Sequence, residues 1–230
     1  MTNTRTLNEN TKKDRYWSGL ISGISLIVMM FTAFFAFGYA HDTLFAVGDP
    51  ALTRSNLINT SQLLREEIAA WGFIIILDII VAWGFYTYLK ASARKLATLS
   101  AILRLIYTAM LGFALLQLTS IQVQSLSSTS ADLIYNRFVQ FETIWSLGLI
   151  VFGAHLIATG FAAKKTPHIP RTLSALLVIA GLSYMVVHGL ENFLPSLERV
   201  TSMLEIGLSL PMLIGEVGFG LWLLVKGKSL

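Results

Sequence analysis

Six long apolar runs, separated by short polar segments, dominate the sequence. A helix that crosses the hydrocarbon core of a bilayer needs about 20 apolar residues, because each residue rises about 1.5 Å. Backbone groups without hydrogen bonds are costly in lipid, so each run is predicted to be an α-helix. The pattern therefore predicts an all-α integral membrane bundle of six transmembrane helices, with spans near 17–39, 68–90, 97–120, 138–161, 172–193 and 205–225.

The segments between the runs predict turns, loops and one further helix. In the longest, 40–67, Asp49-Pro50 is a turn signal. After it, apolar residues from Leu57 to Ile68 recur at helical spacing, which indicates a short interfacial helix. The alternative is that the second span begins early. The segment 121–137 is rich in Ser, Thr and Gln and is predicted to be a loop. With no linker in between, residues 1–230 form a single transmembrane domain in which residues 1–16 are a cytoplasmic tail.

The basic residues predict the orientation. With the N-terminus in the cytoplasm, twelve of the seventeen Lys and Arg residues fall in cytoplasmic segments and four outside, and Arg104 lies within a span. This bias indicates that both termini are cytoplasmic. The first apolar run is longer than the core of a usual signal peptide, so we expect a retained helix. The expected location is the cell (plasma or inner) membrane, with multiple passes.

Composition strengthens the membrane assignment and narrows the chemistry. The chain is 54% hydrophobic and 13% charged, whereas a soluble domain is about one quarter charged. The lipid bilayer is therefore the expected partner. The net charge of +4 comes from residues that flank the spans, which is typical of topology signals and not of nucleic-acid binding. The absence of cysteine excludes disulfides, iron–sulfur clusters and thiol nucleophiles.

Ionisable residues within lipid are expensive, so each one is a candidate functional residue. Four of them lie at similar distances from the nearest cytoplasmic basic residue: Asp78 twelve residues from Lys90, Arg104 nine from Lys95, His155 nine from Lys164 and Glu216 ten from Lys226. These separations correspond to depths of roughly 14–18 Å. Four ionisable groups on four helices are thus predicted to share one level and to face a common interior.

The charges of this predicted site do not cancel. Arg104 is always positive, whereas Asp78 and Glu216 together contribute two negative charges when both are ionised. The site is neutral only if His155 or one carboxyl holds a proton. We expect Asp78 with Arg104 as the fixed pair and Glu216 with His155 as the titrating pair. Tyr184 on the fifth span is predicted to add a hydroxyl at a similar level. Two interpretations remain open: a functional site, or buried groups that only hold the helices together.

Other polar residues have simpler explanations. Glu142, His188, Glu191 and Glu205 fall near the outer ends of spans, where interfacial water solvates them, and His41 falls in the outer segment. His188 and Glu191 have a spacing that can bind metal, but interfacial solvation explains them more simply. At the site of Asp78, His155 and Glu216, the adjacent Arg104 disfavours a metal cation. There is no phosphate-binding Gly-rich loop, nucleophile elbow or HExxH motif. We therefore predict no metal and no cofactor, and assign no catalytic residue.

At these residues the sequence resembles DUF4386, a bacterial family of multi-pass membrane proteins of unknown function. The resemblance spans most of the chain. It is carried by Leu77-Asp78, Tyr88-Leu89, Arg104-Leu105 with Gly112, Phe152-Gly153-Ala154-His155-Leu156, Ile169-Pro170-Arg171, Ala180-Gly181-Leu182-Ser183-Tyr184, Leu210-Pro211, Gly215-Glu216 and Leu221-Trp222-Leu223-Leu224-Val225-Lys226-Gly227. The resemblance implies a multi-pass membrane protein and brings no activity, substrate or cofactor.

Three functional hypotheses follow. The first is small-molecule or proton-linked transport through a polar site formed by Asp78, Arg104, His155, Glu216 and Tyr184. The second is an intramembrane enzyme acting on a lipid-like substrate, with His155 or Glu216 as acid or base and Arg104 holding an anion. The third is a structural or regulatory membrane protein that contacts a partner through 40–67. A small-molecule ligand fits the first two, and no pattern indicates an oligomeric state.

Overall fold

The computed structural model describes residues 2–123 and 129–226, and this part of the chain contains helices and no strand. Its α-helices are α1 Thr2–Phe35, α2 Asp42–Leu44, α3 Pro50–Asn59, α4 Ser61–Val123, α5 Ala131–Lys164, α6 Arg171–Phe193 and α7 Glu198–Lys226. A π-helical segment, Ala36–His41, joins α1 to α2, and a 3₁₀ turn, Pro195–Leu197, precedes α7. Among the described residues, five helical stretches are long and apolar enough to cross a membrane: Lys13–Leu44, Ser61–Gln122, Ala131–Lys164, Arg171–Phe193 and Pro195–Lys226. The chain is a multi-pass membrane protein.

Helix α4 folds back on itself. Its backbone leaves the helical conformation at Ala93, where φ is −149° and ψ is 56°. In one straight helix, Asp78 and Arg104 would lie about 39 Å apart, because 26 residues rise 1.5 Å each. Their side chains instead meet at 2.6 Å. The two arms of α4, residues 61–92 and 94–123, therefore lie side by side as an antiparallel hairpin, in place of the second and third predicted spans.

The 40–67 segment contains a short helix, α3, which lies earlier in the chain than the helical spacing from Leu57 to Ile68 predicted. The side chain of Asp49 accepts a hydrogen bond from the backbone N–H of Leu52 and caps α3, while Pro50 is the first helical residue. Helix α4 then begins at Ser61, well before the predicted span at 68. The predicted loop at 121–137 is shorter than expected, because α5 begins at Ala131 after the capping residue Ser130. Residues 124–128, Gly227 and Lys228 lie outside the described residues.

The long helices close into a ring. Helix α1 packs on α4 and α7, α5 packs on α4 and α6, and α6 packs on α7. One end of the ring, here called the basic end, carries Arg15, Lys90, Lys164 and Arg171; the opposite end, the His41 end, carries His41, Glu67, Glu142 and Glu191. Large apolar side chains point outward, including Phe113, 65% exposed, and Ile206, 79% exposed. An apolar outer surface of this kind suits lipid as the surrounding solvent.

Helices α5 and α6 touch through two facing glycines. A Cβ added at Gly181 would lie 2.4 Å from the carbonyl oxygen of Gly153 and 3.0 Å from the backbone nitrogen of Ile157. These neighbours are backbone atoms, so they cannot give way without separating the helices. Small residues at such crossings allow the close approach on which helix association in membranes depends. His155 lies two residues beyond Gly153 on α5, and its hydrogen-bond partners Ser100 and Arg104 lie on α4.

We expect Gly181→Ala to lower the free energy of unfolding by about 1–3 kcal/mol, the usual cost of overpacking. The matched control is Gly189→Ala on the same helix, where an added Cβ meets no atom within 4 Å. That change is expected to be neutral or to stabilise by up to about 1 kcal/mol through helix propensity. Thermal unfolding of the two purified variants in one detergent measures both. Equal effects of the two substitutions would contradict the tight α5–α6 contact.

Candidate functional site

The fully buried guanidinium of Arg104 is the centre of an ionic cluster. Its Nε and Nη2 donate to Oδ1 of Asp78 at 2.8 and 2.6 Å, across the α4 hairpin. Its Nη1 donates to Oε1 of Glu216 on α7 at 2.7 Å. Arg104 and Asp78 have no solvent exposure. Charged hydrogen bonds of this length offset the cost of burying ions, and removing one partner leaves an uncompensated charge.

His155 joins the cluster as a neutral imidazole. Its Nε2 lies 3.1 Å from Nη1 of Arg104, and its Nδ1 lies 2.8 Å from the carbonyl oxygen of Ser100. A guanidinium can only donate, so Nε2 must be the accepting nitrogen. The ring proton is then on Nδ1, where it is donated to the carbonyl of Ser100. We infer this tautomer from the hydrogen-bond partners.

A layer of small hydroxyls and aromatic rings holds these groups in place. The Ser100 hydroxyl lies 2.7 Å from the hydroxyl of Thr159, which itself donates to the backbone oxygen of His155. The rings of Phe85 and Phe152 lie 5.8 and 5.4 Å from the guanidinium carbon. Aromatic faces at this distance attract a cation. The layer comes from α4 and α5, whereas Glu216 comes from α7.

The structure brings four of the five predicted site residues together and leaves the fifth beside them. Asp78 pairs with Arg104, as expected. The expected pairing of Glu216 with His155 is wrong, because both contact the same nitrogen of Arg104. Tyr184 packs edge-on against Phe152 at 5.3 Å, without a hydrogen bond to the other four within the described part of the chain. One arginine, and not two separate pairs, therefore organises the cluster.

The cluster has an unbalanced charge and one unpaired oxygen. Oδ2 of Asp78 is buried and has no hydrogen-bond partner among the described residues. With His155 neutral, ionisation of both carboxyls leaves one net negative charge. The cluster is neutral when one carboxyl holds a proton. The arrangement can therefore release one proton or accept one positive charge from a ligand.

A cavity of about 370 Å³ lies against the cluster. Asp78 and Glu216 form its polar end, and Tyr107, Phe152 and Tyr184 form part of its wall. Phe37, Trp71 and Trp145 lie toward the His41 end. On α4, Trp71, Ile74 and Asp78 line the cavity at the four- and three-residue spacing of one helix face. The cavity is thus an apolar chamber within the membrane-spanning helices that ends on two carboxyls.

A second buried ionic cluster lies beyond Trp71, and sequence reasoning missed it. Nδ1 of His41 is 2.7 Å from Oε1 of Glu67, and both residues are fully buried. Trp71 donates its ring N–H to the same oxygen at 3.4 Å, and Glu142 lies 3.4 Å from Nε2 of His41. Oε2 of Glu67 has no hydrogen-bond partner within the described chain. His41 is therefore not in an exposed segment, because the π-helical segment carries it into the core.

Glu67 does have a signal in the sequence. It precedes Asp78 by eleven residues, which is about three helical turns, so the two carboxyls lie on one face of α4. Trp71 and Ile74 fall on the same face between them. The spacing of these residues on one helix face predicts that Glu67 lies in the interior with Asp78.

His188 and Glu191 form a third polar group, together with α5. Nδ1 of His188 lies 3.0 Å from Oε2 of Glu191, and the Ser146 hydroxyl donates to the same oxygen at 2.6 Å. Asn192 donates to Ser146 at 2.8 Å. This group ties the middle of α5 to the C-terminal turns of α6. Within residues 2–123 and 129–226, no three His, Cys, Asp or Glu side chains are placed to hold a metal ion.

Comparison with known proteins agrees with the resemblance seen in the sequence. A family model described as a domain of unknown function, DUF4386, matches residues 21–227. An uncharacterized protein of Archaeoglobus fulgidus is 31% identical over 157 residues, which cover 68% of this chain and 81% of that protein. No solved structure matches. The family model includes Asp78, Arg104, His155 and Glu216, and the chain belongs to the DUF4386 family.

Proposed function

We propose that the chain crosses the membrane six times, with both termini in the cytoplasm. Each arm of α4 exceeds the roughly 20 residues that a crossing needs, so the hairpin supplies two crossings. The other four long helical stretches supply one each. The basic end then faces the cytoplasm, in agreement with the distribution of Lys and Arg.

Within this bundle, the cavity binds a small amphiphilic molecule, as a permease-like unit would. The observation that carries this proposal is a chamber of about 370 Å³ whose walls are apolar and whose inner end presents two ionisable carboxyls. Sites for small molecules typically have this size and this ratio of apolar wall to polar anchor. Groups that only held the helices together would not need such a chamber beside them.

Access to the cavity lies between α1 and α7. Toward the basic end these helices are in close contact, since a Cβ at Gly23 would lie 2.8 Å from the carbonyl oxygen of Gly220. Toward the His41 end they present Phe34, 58% exposed, and Leu213, 39% exposed, and both residues also line the cavity. A molecule dissolved in the bilayer can enter between these side chains.

The geometry favours binding over catalysis. The enzyme hypothesis assigns His155 as acid or base and Arg104 as the holder of an anion. Neither residue lines the cavity, and both nitrogens of His155 are engaged, one by Arg104 and one by Ser100. Arg104 directs its donors at the two carboxyls. A ligand in the cavity therefore meets carboxyls and aromatic rings.

Filling the cavity tests the proposal. We expect the chain in lipid nanodiscs to bind the neutral amphiphilic dye N-phenyl-1-naphthylamine, and Ala33→Trp to weaken binding about tenfold or more. Ala33 lines the cavity, so an indole at this position occupies the ligand's space. The emission of the directly excited dye, corrected for empty nanodiscs, gives the dissociation constant.

The matched control is Phe31→Trp on the same helix. Phe31 is 64% exposed and does not line the cavity, so the variant adds an indole that faces lipid. Its dissociation constant should equal that of the unaltered chain, and both variants should keep their melting temperature. If the dye does not bind, or if Ala33→Trp binds as well as Phe31→Trp, the cavity is not the binding site.

A further inference from the structure

The cavity presents carboxyl groups and no basic side chain to a ligand, among the residues that the structure describes. Its only ionisable acidic lining residues are Asp78 and Glu216, and no Lys, Arg or His lines it within the described part of the chain. This is unexpected, because Arg104 lies directly behind the two carboxyls. Its Nε and Nη2 are directed at Asp78, and its Nη1 at Glu216 and His155. The one arginine charge is therefore offset by one carboxylate, and the second carboxylate is left for the ligand.

Glu216 is the carboxyl that a ligand reaches. Oδ1 of Asp78 accepts two donors from Arg104, whereas Oε1 of Glu216 accepts one, which it shares with His155. The side chain of Asp78 is 1% exposed and that of Glu216 is 16% exposed. Asp78 is thus held in place by the arginine. Glu216 stands between the arginine and the open chamber.

The walls of the chamber suit an organic cation. Trp71, Trp145, Tyr107, Phe152 and Tyr184 present aromatic rings to it. Ring faces carry partial negative charge and attract cations, Trp most strongly, and the attraction grows when water is excluded. Met29, Met30 and Met212 add polarisable sulfur atoms that adapt to ligands of different shape. An anion would meet the same rings and the carboxyls unfavourably.

We propose that this cavity binds a monovalent hydrophobic cation, such as a quaternary ammonium, in exchange for the one proton held by the carboxyls of Asp78 and Glu216. The proposal rests on the binding function of the same cavity and names its ligand class. In the empty site one of the two carboxyls, Asp78 or Glu216, holds a proton, which balances the charge of Arg104. The ligand enters, the carboxyl releases its proton to water, and the carboxylate left behind pairs with the ligand's positive charge. The charge of the site is the same before and after.

The surroundings of Glu216 allow one such exchange. The titratable and charged groups that face it from the neighbouring helices are Asp78, Arg104 and Tyr107 of α4, His155 of α5 and Tyr184 of α6. Residues from Leu26 to Gly38 of α1 and the π-helical segment line the cavity and contribute no charged side chain. Arg104 and Asp78 stay paired throughout, and His155 stays neutral because its Nε2 accepts from Arg104.

Two probes of the same shape and opposite charge test the proposal in lipid nanodiscs. Tetraphenylphosphonium is a cation, and tetraphenylborate is its anionic counterpart. We expect the cation to bind about tenfold or more tightly than the anion after subtraction of binding to empty nanodiscs. One proton should appear in weakly buffered solution for each cation bound. By linkage, each unit by which the pH is lowered should weaken cation binding about tenfold, in the pH range where the empty site is protonated.

Variants of the carboxyl separate this role from folding. Glu216→Gln keeps an oxygen that accepts from Arg104, so the chain should fold while losing proton release and about tenfold or more in cation affinity. Glu216→Asp should retain proton release. The control is Glu205→Gln on the same helix, where Glu205 is exposed and outside the cavity; it should bind and release as the unaltered chain does.

The outcomes also separate this proposal from the binding function. If the neutral dye binds while tetraphenylphosphonium does not, or if tetraphenylborate binds as tightly, the cation proposal is overturned and the cavity remains a binding site. If the cation binds without proton release, the proposed proton exchange is overturned. The same holds if Glu216→Gln releases as many protons as the unaltered chain. If neither the dye nor either ion binds, both proposals fail together.

Discussion

Replacement of Arg104 by methionine is expected to prevent the chain from accumulating in folded form. Methionine has a similar length but no charge and no donor, so Asp78 and Glu216 lose their shared partner in a site with no exposure at Arg104 and Asp78. Breaking a buried pair in this way costs about 3–5 kcal/mol. That is a large fraction of the stability of a typical domain, about 5–15 kcal/mol. The loss is measured by the abundance of the variant in the membrane and by the unfolding of the purified variant in detergent.

A compensating variant shows whether the loss comes from stranded charge. Adding Asp78→Asn and Glu216→Gln to Arg104→Met removes both ionisable carboxyls, and this triple variant should recover part of the lost stability. Arg104→Lys should fall in between, because an ammonium lacks the planar fork that serves two carboxyls at once. A single Arg104→Met variant that is as stable as the unaltered chain would contradict the central role of the guanidinium.

The shared level of the four site residues could be predicted from the sequence, because position along a helix axis is a one-dimensional quantity. Counting residues from the nearest basic residue places a side chain along the axis of its helix. The same counting gave similar levels for Asp78, Arg104, His155 and Glu216, and the structure brings these four side chains into contact through Arg104. The length of the apolar runs likewise indicated most of the helices.

Pairing could not be predicted in the same way, because it depends on which helices are neighbours and how each is rotated. Nothing in the sequence placed α7 so that Glu216 reaches Nη1 of Arg104 rather than His155. The hairpin brings the two arms of α4 together, and α1 and α7 then close the ring. The expected pairing of Glu216 with His155 rests on charge alone, and charge does not determine the direction in which a side chain points.

The His41 end was misjudged for a different physical reason. Polar residues near the ends of spans are usually solvated by interfacial water, which is the explanation for Glu142, and His41 falls in the predicted outer segment. The π-helical segment Ala36–His41 instead extends α1 past its predicted end at 39 and turns the imidazole inward. Segments of this kind insert one residue per turn and often occur at functional sites. Hydrophobic run length does not reveal them, because the composition is the same as that of an α-helix.

Four aromatic rings surround His41, so a phenylalanine at this position can replace the imidazole without losing the packing. Phe37, Phe45, Phe138 and Phe141 surround the imidazole at ring-centre distances of 5.2 to 5.7 Å. In His41→Phe a ring of similar size keeps these contacts and removes the polar contacts of the imidazole with Glu67 and Glu142. The effect of this variant therefore reports on the polar contacts and not on lost packing.

We expect His41→Phe to lower the free energy of unfolding by about 3 kcal/mol, because Glu67 keeps only a weak contact at 3.4 Å with Trp71 while it remains buried. Adding Glu67→Gln should restore part of that loss by removing the stranded carboxyl. The control, Glu142→Gln, should change stability by less than about 1 kcal/mol, since Glu142 is 37% exposed and lies 3.4 Å from the ring. Denaturant titration of the unaltered chain, His41→Phe, Glu67→Gln and the double variant gives the coupling between His41 and Glu67. Glu142→Gln is measured in the same way. Losses for His41→Phe and Glu142→Gln that are equally small would show that this end of the bundle is held by its aromatic rings alone.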